Sequence, residues 1–281
     1  MLKTRVLTAL VLLLALAGAA AISLQALIGL CALFVGVALS EWFRLSGVPA
    51  AVALPAAAVA AVGGFGLEVL GAGPSPGTVA ASCALSCLLW VGVGLLLVRA
   101  QRRTIAIPRA WLIAGALLLG GVAWLALVDL LHRGIVWTLS VLALVWVADI
   151  AAYFCGRAFG VRKLASRISP GKTWAGVWGA VIAVVLSAEA VRWFWPSTPL
   201  WSTQILLAAP VFGVGILAAF VFFSVVGDLF ESLVKRQAGA KDSGKVLPGH
   251  GGVWDRIDAT LPTLPFAVLS QWTLVNGWHH G

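Results

Sequence analysis

Apolar residues in this chain do not alternate with polar ones; they run. Stretches long enough to cross a hydrocarbon core, which takes about 20 residues of helix, occupy about 6–21, 22–40, 48–71, 78–98, 110–131, 135–155, 174–191, 203–226 and 259–277. The pattern predicts an all-α polytopic transmembrane bundle of about nine helices. No linker, internal repeat or low-complexity segment divides it, so residues 1–281 are expected to form a single integral membrane domain. The first two runs are nearly continuous. Met1-Leu-Lys-Thr-Arg followed by a Leu/Ala run also has the shape of a cleavable signal. Because another apolar run follows at once, we expect that helix to be retained.

The positions of the basic residues test the layout. With nine helices and a cytoplasmic N-terminus, all of the 19 Lys and Arg except Arg133 and Arg192 fall on the cytoplasmic side, as the positive-inside rule requires. An even helix count would spoil that division, so the expected topology is N-in, C-out. Composition agrees: 61% of residues are hydrophobic and the mean hydropathy is +1.03, which excludes an ordinary soluble domain. The net charge of +9 then points to an anionic lipid surface and not to nucleic acid. Trp193, Trp195 and Trp201 are expected in an interfacial belt at the outer boundary. Cys31, Cys83, Cys87 and Cys155 lie inside apolar runs and are expected to be small core residues.

Against that background one polar stretch stands out, from Gly227 to Asp258. It carries Asp228, Glu231, Asp242, Asp255 and Asp258, half of the chain's ten acidic residues, together with Lys235, Arg236, Lys241, Lys245 and Arg256. On a helix, Asp228, Glu231, Ser232 and Lys235 share one face. The segment from Lys241 to Gly252 is too rich in glycine and proline for regular helix, and at Gly251 and Gly252 it lets backbone N–H groups approach a ligand closely. Carboxylates on two helix ends joined by a basic, Gly-rich loop suit a divalent cation with phosphate oxygens, as Mg²⁺ typically takes one or two carboxylates and completes its shell with phosphate and water. The alternative is a solvated cytoplasmic loop.

Two further constellations matter. Asp149, Tyr153, Gly156 and Arg157 lie on one helical face, and an ionisable residue inside a membrane helix normally faces the bundle interior or a water-filled cavity. Its structural alternative is partnership with an arginine elsewhere. Ser169-Pro-Gly-Lys-Thr-Trp-Ala-Gly176 looks like a nucleotide-binding loop but lacks the first glycine of that motif, with Ser166 in its place, and no preceding strand is expected. Lys172 and Thr173 should precede a helix N-terminus, where a lysine and free amides can clamp a triphosphate. His250 is expected to contact phosphate or brace its loop. Glu68 and Glu189 receive no role, and His279 and His280 are expected to be incidental on the outer side.

Ser232-Leu-Val-Lys-Arg, Lys241-Asp-Ser-Gly and Leu247-Pro-Gly-His-Gly-Gly-Val-Trp-Asp-Arg-Ile-Asp resemble, in order and spacing, the signature of the phosphatidate cytidylyltransferases (CDP-diacylglycerol synthases). Asp149 to Gly160 is similar to a second stretch of that family, with Ile150 where a small hydroxyl residue is usual, and Ser169 to Gly176 to a third, with Gly171 and Ala175 uncharged. Glu41-Trp42-x-x-Leu45 matches a shorter family feature, a weak signal at a membrane boundary. The resemblance is clear from about Asp149 to Asp258. It implies a catalytic part over 148–258 with cytoplasmic loops 156–173 and 227–258, preceded by weakly similar helices over 1–147 and followed by a last helix over 259–277.

By this resemblance the substrates are CTP and phosphatidate, the products CDP-diacylglycerol and diphosphate, and the setting a bacterial-type inner membrane with a cytoplasmic site. Asp228 and Asp255 become the expected ligands of Mg²⁺ and of a second cation if there is one. Lys172, Lys235, Arg236, Lys241 and Arg256 become candidates for phosphate contact. Ser169, Thr173, Asp149, Tyr153, Arg157, His250, Gly251, Gly252, Asp242 and Asp258 are expected to line or orient the substrates, and a homodimer is an admissible assembly. Two other classes compete: a CTP-dependent membrane enzyme of the polyprenol kinase or CDP-archaeol synthase type, and a transporter. Transport would spread polar residues across several helices and both membrane faces, whereas here they gather at one cytoplasmic edge.

Overall fold

The computed structural model describes residues 2–198 and 200–276; His279 and His280 lie outside them. The chain is helical nearly throughout: α1 (Leu2–Ile22), α2 (Leu24–Leu45), α3 (Ala50–Val69), α4 (Pro76–Arg102), α5 (Arg109–Arg133), α6 (Ile135–Phe159), α7 (Trp174–Phe194), α8 (Trp201–Ala208), α9 (Pro210–Gln237), α10 (Trp254–Ile257) and α11 (Thr260–Gln271), with a π-helical turn over Trp272–Asn276. Among the described residues, seven helices are long and apolar enough to cross a membrane, namely α2 to α7 and α9. The two remaining expected spans correspond to α1 and to the pair of α11 and the π-helical turn, and the count of nine rests on them. Ser23 separates α1 from α2: its extended backbone breaks the helix and its hydroxyl accepts the Ala26 N–H, an N-cap.

Three expectations are corrected. The apolar run 203–226 is not one helix, because Pro210 cannot continue the hydrogen-bond ladder; α8 stops at Ala208 and α9 restarts at Pro210. The segment 156–173 is not all loop. Lys163–Ala165 (β1) pairs antiparallel with Ser169–Thr173 (β2), so a strand does precede the Lys172 loop, although as one arm of a hairpin. Trp201, unlike the exposed Trp193 and Trp195, is fully buried and so is not available to a lipid-facing belt; its indole N–H is shared between the Ala267 carbonyl and the Ser270 hydroxyl.

The chain divides into two compact units. The first holds 1–75, 106–124 and 234–258; the second holds 76–105, 125–233 and 259–281. In the first unit α2 packs on α3 through small residues, and a Cβ on Gly36 would stand 3.0 Å from that of Ala61. In the second, α6 packs on α7, with Gly176 so close that a Cβ would lie 2.8 Å from the Ala152 carbonyl oxygen. Without a solvent-driven hydrophobic force between membrane helices, such close backbone approach supplies much of the packing energy. Cys83 and Cys87 are buried on α4, as expected of core residues. The second unit also holds two one-turn ion pairs, Arg133 with Asp129 at 2.7 Å and Arg192 with Glu189 at 2.7 Å.

Candidate active site

Among the described residues, each unit carries a cluster of polar side chains in which a lysine is paired with an aspartate. In the first unit, α9 ends at Gln237 because Gly239 takes a left-handed conformation (φ 67°) and the Ala238 and Ala240 amides cap the Val234 and Lys235 carbonyls, a common helix terminus. The chain then forms the Gly-rich loop. Pro248 and Gly249 make a turn closed by Leu247 N–H to Gly251 C=O (2.9 Å) and His250 N–H to Leu247 C=O (2.9 Å). Arg256 reaches back and donates from Nε (3.1 Å) and Nη2 (2.5 Å) to the His250 carbonyl, so this candidate phosphate ligand braces its own loop. On α1 the Thr8 hydroxyl donates to the Pro248 carbonyl (3.0 Å).

Asp255, on α10, is the hub. Its Oδ2 accepts the Ser243 N–H (2.9 Å) and the Gly252 N–H (2.8 Å), and its Oδ1 accepts from Lys235 Nζ (2.6 Å). Gly251 has φ 87°, and a Cβ there would also stand 2.7 Å from Asp255 Oδ2, so glycine is required twice over. The sequence did not single out what holds the loop from the other side. Glu41, at the end of α2, is 1% exposed. Its Oε2 accepts the Ser243 hydroxyl (2.8 Å) and the Trp254 N–H (2.9 Å), and its Oε1 accepts the Val253 N–H (3.1 Å). Next to it Trp42 stacks on Trp254, centroids 4.4 Å apart and planes within 8°. The only sequence signal for Glu41 was the short Glu41-Trp42 feature.

In the second unit the hairpin delivers Thr173 as the N-cap of α7, its hydroxyl accepting the Gly176 N–H at 3.1 Å. Lys172, immediately before it, pairs with Asp228 on α9. Asp149 on α6 lies within Coulombic range of both, so a lysine and an aspartate are among the neighbours of the expected intramembrane carboxylate. Gly156 is tight against this corner, a Cβ there meeting the Thr173 hydroxyl at 3.0 Å. Arg157 Nη1 donates to the Tyr153 hydroxyl (3.2 Å), which bears out the shared face. Ser169 opens β2, half-buried, while Arg236, Lys241 and Asp242 are exposed in the first unit and Asp258 is half-buried there.

These donors are hard oxygens with lysine ammonium groups between them. Among the described residues no three His, Cys, Asp or Glu side chains form a cage for a metal ion. Asp228 and Asp255 offer carboxylate oxygens, the donor type that Mg²⁺ takes in ones and twos beside substrate phosphates. Asp228 is paired with a lysine, and Asp255 turns Oδ1 toward Lys235.

A model of the cytidylyltransferase family matches residues 3–274. The chain belongs to that family. The family resemblance read from Ser232 to Asp258 is thereby confirmed. Among similar proteins, the phosphatidate cytidylyltransferase of Pseudomonas aeruginosa is 43% identical over 160 residues, covering 56% of this chain and 55% of the relative. That of Haemophilus influenzae is 46% identical over 136 residues, covering 48% and 45%, and that of Brucella suis 52% identical over 118 residues, covering 41% and 39%. The chain therefore aligns with about half the length of these relatives.

Proposed function

We propose that this member of the cytidylyltransferase family is a phosphatidate cytidylyltransferase. A phosphate oxygen of phosphatidate attacks the α-phosphorus of CTP, the new P–O bond forms as the α–β phosphoanhydride bond breaks, and diphosphate leaves while CDP-diacylglycerol remains in the membrane. The attacking oxygen is already anionic, so no strong base is needed and the protein's work is positioning and charge neutralisation. The observation that carries the reading is the pairing of each candidate metal carboxylate with a lysine, Lys172 with Asp228 and Lys235 with Asp255. Each pair sits beside a glycine-containing corner: Lys172 just before the start of α7, and Asp255 against the Gly251–Gly252 turn.

Asp228 and Asp255 are the residues assigned to Mg²⁺, one ion or two. When bound, the ion supplies Lewis-acid neutralisation of the triphosphate charge. Lys172 binds the CTP phosphates, with Ser169 and Thr173 shaping the corner and Asp149 orienting Lys172. Lys235, Arg236 and Lys241 bind at lipid-headgroup depth, where basic residues meet anionic lipid. Arg256, His250 and Gly252 hold the loop in shape, with Asp242 and Asp258 at its two ends. The orientation is N-in and C-out with nine spans in a bacterial-type inner membrane, and the site opens to the cytoplasm. The distribution of basic residues supports this orientation.

The test is turnover by purified full-length protein in detergent with radiolabelled CTP and phosphatidate. Mg²⁺-dependent appearance of labelled CDP-diacylglycerol is expected. Labelling only with a polyprenol or archaeal lipid acceptor, or none with phosphatidate, overturns the reading.

A further inference from the structure

Glu41 lies about 200 positions from the loop it holds, and the bonds it makes lead to one place. Its Oε2 takes the proton of the Ser243 hydroxyl. That hydroxyl has one proton only, so a lone pair is left facing the Asp255 N–H, which donates to it at 3.2 Å. The Ser243 N–H in turn donates to Asp255 Oδ2. Ser243 and Asp255 thus cap each other reciprocally, and Glu41 fixes the direction of the hydroxyl between them. The space is closed around this relay: a Cβ on Gly244 would collide with the Glu41 carboxylate, and one on Gly252 with both the Glu41 carboxylate and the Ser243 hydroxyl.

We propose that Glu41 and Ser243 are positioning residues that aim the carboxylate of Asp255, so that its Oδ1 is presented to the cation and Lys235 while Oδ2 stays on the backbone. The proposal rests on the assignment of Asp255 to Mg²⁺ given above. The chemistry of Glu41 makes it specific. Three donors converge on its two oxygens, so glutamine cannot replace it. An amide nitrogen at the Oε2 position confronts the Trp254 N–H and reverses the Ser243 hydroxyl toward the Asp255 N–H. At the Oε1 position it confronts the Val253 N–H. Either rotamer sets donor against donor inside a closed space.

The experiment compares wild type with Glu41→Gln and Ser243→Ala as full-length proteins in detergent. Mn²⁺ binding is read by electron paramagnetic resonance, and turnover as a function of Mg²⁺ and of CTP. Groups that orient a metal ligand typically govern 10- to 100-fold in metal affinity. We therefore expect the Mn²⁺ dissociation constant and the half-saturating Mg²⁺ concentration to rise roughly tenfold or more in both variants. The KM for CTP at saturating Mg²⁺ should stay near that of wild type, a split that a merely loosened fold would not give. Mn²⁺ binding and Mg²⁺ dependence equal to wild type overturn the proposal, whatever the loss in turnover. Should Glu41→Gln not be recovered folded, Ser243→Ala decides alone. Wild type inactive on phosphatidate but with Mn²⁺ binding weakened in the variants refutes the functional reading and leaves the positioning role standing.

Discussion

The two lysine–aspartate pairs differ in burial, and that difference sets a measurable order. The side chains of Lys235 and Asp255 are 14% and 8% exposed, those of Lys172 and Asp228 27% and 31%. Removing one partner of a buried pair strands the other charge and costs about 3–5 kcal/mol, whereas solvent-exposed pairs contribute about 0.2–1 kcal/mol. Asp255 also keeps two backbone amides when Lys235 is lost, which offsets part of the penalty. Lys235→Met should therefore destabilise by about 3 kcal/mol, the low end of the buried range, and Lys172→Met by about 1 kcal/mol. A double-mutant cycle isolates each pair: Lys235→Met with Asp255→Asn, and Lys172→Met with Asp228→Asn. Unfolding of the purified protein by SDS, followed through its 14 tryptophans, gives the four free energies of each cycle. We expect a coupling near 2 kcal/mol for the first pair, and no more than about 1 kcal/mol for the second. Equal couplings, or a larger one for Lys172 and Asp228, would refute the argument from burial.

Asp228→Asn and Asp255→Asn should each lower CDP-diacylglycerol formation about a thousandfold or more, since loss of a Lewis acid removes several kcal/mol of barrier lowering; near-normal turnover at saturating Mg²⁺ refutes the metal assignment. Lys172→Ala should raise the KM for CTP more than that for phosphatidate, and Lys235→Ala the reverse, as steady-state kinetics with each substrate varied in turn will read. A cysteine introduced between 242 and 250 should react with an impermeant maleimide only from the cytoplasmic side of cells or inverted vesicles, and one near Gly281 only from the outside; labelling of both from one side contradicts the nine-span orientation.

The membrane helices were legible because a span of about 20 apolar residues leaves a signal no other element imitates. Their limits were less so. Pro210 breaks the run 203–226 although the residues on both sides are apolar, and only the ladder argument identifies it. The β1–β2 hairpin escaped because Lys163–Ala165 and Ser169–Thr173 are too short, three and five residues, for an alternation to be read. Trp201 was assigned to the interface by its neighbours, whereas its burial depends on α11 residues more than 60 positions away. The site was half legible. Asp255, Lys235 and the glycines stand in one continuous motif, but Glu41 meets that motif only in three dimensions, and a single glutamate at the end of an apolar helix gives no local hint of three converging donors.

The ion pairs of Arg133 with Asp129 and Arg192 with Glu189 bear on how the chain enters its membrane. In the proposed orientation these are the two arginines that must be carried to the outer side. A lone cation moved outward works against a negative-inside potential at about 2.3 kcal/mol per 100 mV. A carboxylate one turn away makes each a neutral dipole, on which the potential does no net work. Cutting Asp129 or Glu189 to alanine would expose that electrical work and bias the outward loops toward retention inside.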